Sequence, residues 1–258
     1  MAVYRQPAYG GGFLPPYSIT YRVTFMGTII NTAAVILGSL LGLLFKNGLK
    51  QRFQDILMTA LGAATIFIGA SGTLSGMTGI ENTMLLIFSL VLGSLAGEAL
   101  NIEERLDKFG EFLKKKVKRE NDSSFVEGFV TSSLVICVGA MAVVGSLEDG
   151  LYGDFSTIAA KSVLDCVIVM VFASTMGIGV MFSALPIFVY QGAITLFAKL
   201  LEPVMSETLI ANLSFVGSVL IFCVGVNLAF GKKFRTGNML PALLVPVLYE
   251  IVRNIFSL

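Results

Sequence analysis

The chain has 258 residues, of which 55% are hydrophobic and 14% are charged, and its formal net charge is +1. Soluble domains carry about 25% charged residues, so this composition favours a membrane protein, and the small net charge gives no sign of a nucleic-acid partner. The absence of histidine excludes histidine-based acid–base catalysis and histidine metal sites.

The sequence contains few motifs that indicate metal binding or catalysis. Cys137, Cys166 and Cys223 stand far apart in apolar runs without CxxC or zinc spacing, so we expect buried free thiols and predict no metal and no cofactor. The chain also lacks GxxxxGK[ST], GxSxG and HExxH patterns. ATP-driven pumping by this chain alone and intramembrane hydrolysis are therefore disfavoured, and we expect no enzymatic activity.

Residues 1–25 differ from the rest of the chain. They combine four tyrosines, three prolines and three consecutive glycines, with no long apolar run and no signal-peptide core. We interpret them as a disordered or non-native N-terminal extension, the alternative being a tail that packs on the membrane surface. Residues 26–258 then form a single transmembrane domain.

Eight apolar segments follow, each close to the about 20 residues that a helical span needs. They cover residues 26–45, 54–74, 83–100, 125–145, 157–177, 180–199, 210–230 and 239–256. The boundary between the fifth and the sixth is weak, because Gly177, Gly179 and Pro186 interrupt a nearly continuous apolar run without a charged loop. A merged or re-entrant segment there would leave seven spans.

The placement of charge favours eight spans. Basic residues concentrate in the connectors 46–52, 105–119 and 232–235, whereas the connectors between them are mainly acidic. With eight spans all three basic connectors lie on one side, which the positive-inside rule makes cytoplasmic, and both termini lie outside. We therefore predict an all-α polytopic protein of the bacterial inner (cell) membrane with about eight transmembrane helices.

The connector 101–122 has apolar residues at helical spacing among its charges, including Phe109, Phe112 and Leu113. This pattern predicts an amphipathic helix on the cytoplasmic face, with its basic half near anionic lipid. A role in docking a protein partner stays open.

The chain also hints at an inverted repeat. Residues 61–69 resemble residues 216–225, and the third and eighth segments open on the similar sequences Asn82-Thr-Met-Leu and Asn238-Met-Leu. An offset of five spans would invert one triplet of helices relative to the other, which is common in secondary transporters.

The fifth segment contains a lysine and an aspartate, Lys161 and Asp165. A helix from about residue 157 puts Asp165 about 12 Å deep in a hydrocarbon core of about 30 Å, with Lys161 one turn away on the same face. A carboxylate at that depth costs at least about 2.5 kcal/mol, so it should face other helices or a water-filled cavity. The pair is either a site for an ion or a solute, or a structural pair that locks the bundle, and Lys161 could instead snorkel to the surface.

Other polar and helix-breaking residues complete the candidate site. The amides of Asn31, Gln191, Asn227 and Asn238 could bind a solute or bridge helices. Backbone carbonyls freed by helix-breaking residues could coordinate an ion, or the breaks could merely kink the helices. The candidates for such breaks are Gly177, Gly179, Pro186 and Pro241, with the 177–186 stretch the best example.

These motifs together resemble a bacterial membrane family known as domain of unknown function 554, over residues 26–258. The matching stretches are Met26-Gly-Thr-Ile-Ile-Asn31, Leu92-Gly-Ser-Leu-Ala-Gly-Glu98, Lys161-Ser-Val-Leu-Asp165, Phe172-Ala-Ser174 with Gly177-Ile-Gly179, Ser183-Ala-Leu-Pro186, Gln191-Gly192 and Asn238-Met-Leu-Pro241. The resemblance implies a multi-span inner-membrane protein of unestablished activity, and it draws attention to Lys161, Asp165, Gln191 and Asn238.

We therefore predict a membrane transport protein, either a secondary transporter or a channel, for a small polar solute or ion. The alternative is a non-transporting membrane component whose 101–122 helix binds a protein partner or lipid. The expected partners are membrane lipids and a small solute or ion. A homo-oligomer stays open, because Gly38 with Gly42 and Gly93 with Gly97 have the spacing of close helix contacts or dimerisation.

Overall fold

The computed structural model describes residues 25–46, 50–77, 79–137, 140–201 and 205–256, so the predicted N-terminal extension lies almost entirely outside the described residues. Every regular element in this part is helical, which confirms the all-α fold. Two 3₁₀ segments, Ile178–Ser183 and Leu240–Leu243, connect the α-helices. The helices are α1 Met26–Lys46, α2 Gln51–Gly76, α3 Ile80–Leu100, α4 Ile102–Lys116, α5 Phe125–Cys137, α6 Ala140–Tyr152, α7 Ser156–Met176, α8 Ala184–Leu196, α9 Ala198–Leu201, α10 Glu207–Phe230, α11 Thr236–Met239 and α12 Leu244–Phe256.

The predicted spans correspond to these helices with two modifications. Within the described residues, six helices are long and apolar enough to cross a membrane. The fourth predicted segment is instead a pair, α5 and α6, whose axes differ by 64°. The eighth is divided into α11, a 3₁₀ segment and α12. The protein is thus an all-α polytopic membrane protein close to the predicted count, with two interrupted segments.

The fifth and sixth segments are separate, antiparallel spans, so the merged alternative is wrong. Gly177 ends α7 with a φ of 87°, a backbone conformation that glycine adopts readily. After the 3₁₀ segment, α8 runs back along α1, since Gln191 meets Asn31 and Thr195 meets Thr28.

Glycines fix the contact between α1 and α7, which run in the same direction. Gly27 lies against Ile158 near both helix starts, and a Cβ on Gly42 would overlap the Met170 carbonyl near both ends. Close backbone approach of this kind is what small residues permit between spans. The predicted small-residue spacing at Gly42 therefore serves packing within the chain.

The three helix pairs that the inverted repeat relates all pack together in antiparallel fashion. Along the contact of α2 with α10, Gly62 lies against Ala229 and Gly69 against Phe222. Gly97 of α3 likewise lies against Asn238 of α11. With α1 against α8, all three pairs have the antiparallel direction that an inverted repeat predicts.

The bundle has a basic end and an acidic end. At the basic end, α4 follows α3 and lies against the start of α5, with Phe109 and Phe129 rings 5.9 Å apart. Lys232 and Arg235, after α10, pair there with Glu103 and Glu98. The acidic end contains the starts of α1 and α7 and the end of α6.

Candidate functional site

Four polar side chains from three helices meet inside the bundle. Lys161 of α7 donates a hydrogen bond to Asp165 Oδ2, which also accepts from Asn31 Nδ2 of α1 at 3.0 Å. The same Asn31 Nδ2 donates to Gln191 Oε1 of α8 at 3.2 Å. All four side chains are buried, Asn31 and Gln191 completely. The structure therefore joins the predicted ion pair to two of the four predicted amides.

A main-chain carbonyl from a fourth helix completes the site. Lys161 Nζ donates to the carbonyl oxygen of Ile136 at 2.9 Å. Ile136 lies in the last described turn of α5, close to the 64° bend between α5 and α6. A main-chain carbonyl near this bend thus serves as an acceptor for the buried ammonium, and sequence reasoning missed it. Gly139, inside the fourth apolar run, is the one signal that could have indicated a weak point there.

Chemistry determines how the two amides are oriented. Carboxylate oxygens only accept hydrogen bonds, so the Asn31 amide must turn its NH₂ group toward Asp165. Its second N–H then requires an oxygen, which Gln191 provides. This arrangement leaves Asn31 Oδ1 and Gln191 Nε2 buried without a hydrogen-bond partner among the described residues. The site therefore retains one unused acceptor and one unused donor. Burying each of them without a partner costs about 1–3 kcal/mol.

The surroundings of the site differ toward the two ends of the bundle. One helical turn toward the basic end, Val35, Val169 and Ile187 occupy the equivalent positions of α1, α7 and α8, and all are completely buried. Toward the acidic end the hydroxyls of Thr28 and Thr195 lie 3.5 Å apart instead. The polar cluster is therefore separated from the basic end by an apolar layer and continues toward the acidic end.

Further polar contacts extend this column to the acidic end. Thr195 donates to the carbonyl of Ser146 in α6 at 3.1 Å. The completely buried Asp149 accepts from the main-chain N–H of Gly27 at 2.9 Å, at the positive end of the α1 dipole. These residues were not among the predicted site residues, since hydroxyls and an interfacial aspartate are common at span ends.

The other predicted amides lie elsewhere and stabilise loops at the basic end. Asn227 Oδ1 accepts from the main-chain N–H groups of Lys233 and Phe234 at 2.8 and 2.9 Å. Asn238 Oδ1 accepts from the Glu103 main-chain N–H at 2.7 Å. Both amides therefore tie chain segments together, which is the bridging alternative, and the structure does not bring them to the buried cluster.

The predicted helix breaks also lie away from the cluster. Gly179 packs against the main chain of Phe125, Pro186 is the third residue of α8, and Pro241 lies in the 3₁₀ segment Leu240–Leu243. Together with Gly177, these residues lie at or near helix ends on the basic side of the bundle. The carbonyl that contacts the buried ammonium belongs to Ile136, so the charged pair lies next to the interruption in the fourth segment.

A second polar region is a cavity of about 430 Å³ at the basic end, between α4, α5 and α10. Its carboxyl groups include Glu103 and Asp107, beside Lys232. The hydrogen bond with Glu103 raises the pKa of the Lys232 ammonium. Burial raises the pKa of Asp107, although the nearby Lys232 charge opposes the shift. The cavity is therefore acidic and partly neutralised, and it is distinct from the buried cluster.

Comparisons with known proteins agree on the kind of protein. A family model described as a protein of unknown function (DUF554) matches residues 26–251. The chain is 36% identical to the "uncharacterized membrane protein YdfK" of Bacillus subtilis over 232 residues, 90% of this chain and 98% of that protein. It is 29% identical to the "uncharacterized protein YqgA" of Escherichia coli over 224 residues, 85% of this chain and 94% of that protein. No solved structure matches the chain.

Proposed function

Since the chain belongs to the DUF554 family of proteins of unknown function, we propose a function from its buried site: transport of a small polar solute or ion, by a secondary transporter or a channel. Asp165, Lys161, Asn31 and Gln191 form the solute-binding site in this proposal. The chemistry needed is binding and release, so we propose neither a catalytic step nor a cofactor.

The observation that carries the proposal is the buried cluster itself. Asp165 lies nine residues after the first residue of α7, about 13 Å along the helix and close to mid-membrane. Ionisable side chains at such depth are rare and mark solute and ion pathways more often than they serve packing. The two unsatisfied amide atoms add to this argument, because a purely structural cluster gains by satisfying its members.

The apolar layer and the polar column support a direction of access. We propose that the protein lies in the inner cell membrane with its basic end in the cytoplasm, following the positive-inside rule. The polar column then leads from the site toward the outside, and Val35, Val169 and Ile187 close the cytoplasmic side. Alternating access requires a site that opens to one side at a time, and we propose that this one opens to the outside along the polar column.

Reconstitution tests this proposal directly. Proteoliposomes are incubated with a panel of labelled small solutes, and uptake is compared between wild type, Asp165→Asn and the control Asp55→Asn, whose side chain is exposed on α2. We expect Asp165→Asn to lose uptake of the transported solute while the control retains it. Full uptake by a correctly folded Asp165→Asn protein would remove this carboxylate from the mechanism.

A different observation favours the alternative, a non-transporting component that binds lipid or a partner. On α4, Phe112 is 56% exposed, and the Lys116 ammonium lies 5.8 Å from the centre of its ring. An apolar side chain flanked by lysines suits the interface of an anionic membrane. Replacing Lys114, Lys115 and Lys116 by glutamine should then weaken the binding of a labelled anionic lipid to the detergent-solubilised protein and leave solute uptake unchanged. Asp165→Asn should instead lose solute uptake and keep the binding of the anionic lipid.

A further inference from the structure

The charge of the buried site is already balanced without a ligand. The Asp165 carboxylate and the Lys161 ammonium are in direct contact, and the Ile136 carbonyl and the Asn31 amide bind them further. A net charge added here would be a buried charge without a counterion, which is far less favourable than a neutral group with satisfied hydrogen bonds.

The hydrogen-bonding capacity of the site, in contrast, is not used up. Asn31 Oδ1 is a buried acceptor and Gln191 Nε2 a buried donor, both without a partner among the described residues. They belong to two amides that are joined to each other by a hydrogen bond. One small molecule that carries both a donor and an acceptor can therefore satisfy both amides at once.

We infer that the site takes a small, net-neutral solute carrying both a hydrogen-bond donor and an acceptor, such as a primary amide or a zwitterionic amino acid. The inference rests on the proposed transport function and narrows it from solutes and ions in general to uncharged or zwitterionic solutes. In the bound state the solute donates to Asn31 Oδ1 and accepts from Gln191 Nε2, and the ion pair stays intact.

The packing around Gly192, the neighbour of Gln191 in α8, leaves room for a methyl group. The nearest atoms to a Cβ placed on Gly192 are 3.8 Å away on Thr28 and 4.0 Å away on Phe25. The glycines along α1 that face α7, in contrast, lie in contact with its atoms. The contact between α1 and α8 is thus less tight next to Gln191 than the contact between α1 and α7, and this is the side from which we expect the solute to enter.

Matched probes of similar size test the class of ligand. Acetamide and glycine carry no net charge, while acetate and methylammonium carry one charge each. With purified protein, we expect acetamide or glycine to raise the Tm by about 3–6 °C at a concentration about tenfold above Kd, and the two ions to leave it unchanged. Asn227→Leu, which changes an amide away from the site, should respond as the wild type does.

The variant Gln191→Glu gives the sharpest contrast. It keeps an oxygen that can accept from Asn31 but replaces the donor Nε2 by a second acceptor, and it adds a negative charge. It should lose the response to acetamide and gain one to methylammonium, while Gln191→Met should lose every response and serves if the glutamate variant does not fold.

Three outcomes would overturn the inference. Wild-type protein stabilised by acetate or methylammonium alone would show a charged ligand and leave the transport proposal standing. A response that survives in Gln191→Met would place binding elsewhere. If neither acetamide nor glycine raised the Tm of the wild type more than that of Gln191→Met at any concentration, the two amides would hold only water. The transport proposal is tested separately, because unchanged solute uptake by Asp165→Asn would refute it.

Discussion

Separate removal of each charge from the Lys161–Asp165 pair distinguishes its contribution to stability from its contribution to function. Lys161→Met leaves the Asp165 carboxylate, which is 4% exposed, with Asn31 Nδ2 as its remaining donor. Removing one partner of a buried pair costs about 3–5 kcal/mol. At about 2–4 °C per kcal/mol for a domain of this size, the Tm should fall by about 6–20 °C.

The double variant Lys161→Met/Asp165→Asn should recover much of that loss. Both replacement side chains are neutral and close to the original shapes, and the amide oxygen introduced at position 165 can still accept from Asn31. The Ile136 carbonyl loses its donor, which leaves a cost of about 1–3 kcal/mol. Because each single change removes one partner of a buried pair, at about 3–5 kcal/mol, the coupling energy between the two positions should be at least about 3 kcal/mol.

Circular dichroism of the helices is the appropriate measurement, because the chain contains no tryptophan. A double variant less stable than Lys161→Met would refute the reasoning, since it would mean that the two charges do not offset each other. The same proteins separate the two roles of the pair. If the pair only locks the bundle, the double variant is both stable and active, whereas the proposed site predicts a stable protein without uptake.

Two further predictions concern packing and pH. Gly42→Ala should destabilise the protein by about 1–3 kcal/mol, because its Cβ overlaps the Met170 carbonyl, whereas Gly192→Ala has room and should be neutral or stabilise the helix by up to about 1 kcal/mol. Equal melting temperatures for the two variants would contradict this packing. Burial raises the pKa of Asp107, so its folded form holds a proton more tightly than the unfolded chain, and its contribution to stability should decline as the pH rises from the ordinary carboxyl range through the raised pKa. Asp107→Asn should make the Tm depend less on pH in that window, and an unchanged pH profile would show that Asp107 is not the group responsible.

The spans could be predicted from the sequence because hydropathy is a local property. An apolar run of about 20 residues identifies a segment without knowledge of its neighbours. The break between α5 and α6 could not be found in this way, since the run is apolar on both sides of it. Charge placement favoured the separation of α7 from α8, because a merged span would have put residues 232–235 on the wrong side.

The site was only partly predictable for a related reason. Lys161 and Asp165 are four residues apart on one helix, so their contact follows from helical geometry alone. Asn31 and Gln191 could be named as candidates, but their meeting depends on how α1 and α8 pack against α7. The Ile136 carbonyl has no side-chain signature, so no sequence pattern could have marked it as a partner of the ammonium.

The distribution of close contacts indicates which part of the site stays fixed and which part moves. Asn31 and Asp165 lie on α1 and α7, whose seam is held by close contacts at Gly27 and Gly42 on either side of them. Gln191 and Ile136 come from α8 and α5, which approach this seam through a looser glycine contact and a helix break. We therefore expect an opening of the site to exchange the bonds made by Gln191 and by the Ile136 carbonyl, while the bond between Asn31 and Asp165 persists. The bonds that change are then the ones made by Gln191 Oε1 and by the Ile136 carbonyl, so binding of a solute to Gln191 Nε2 acts on the same side chain whose contact has to open.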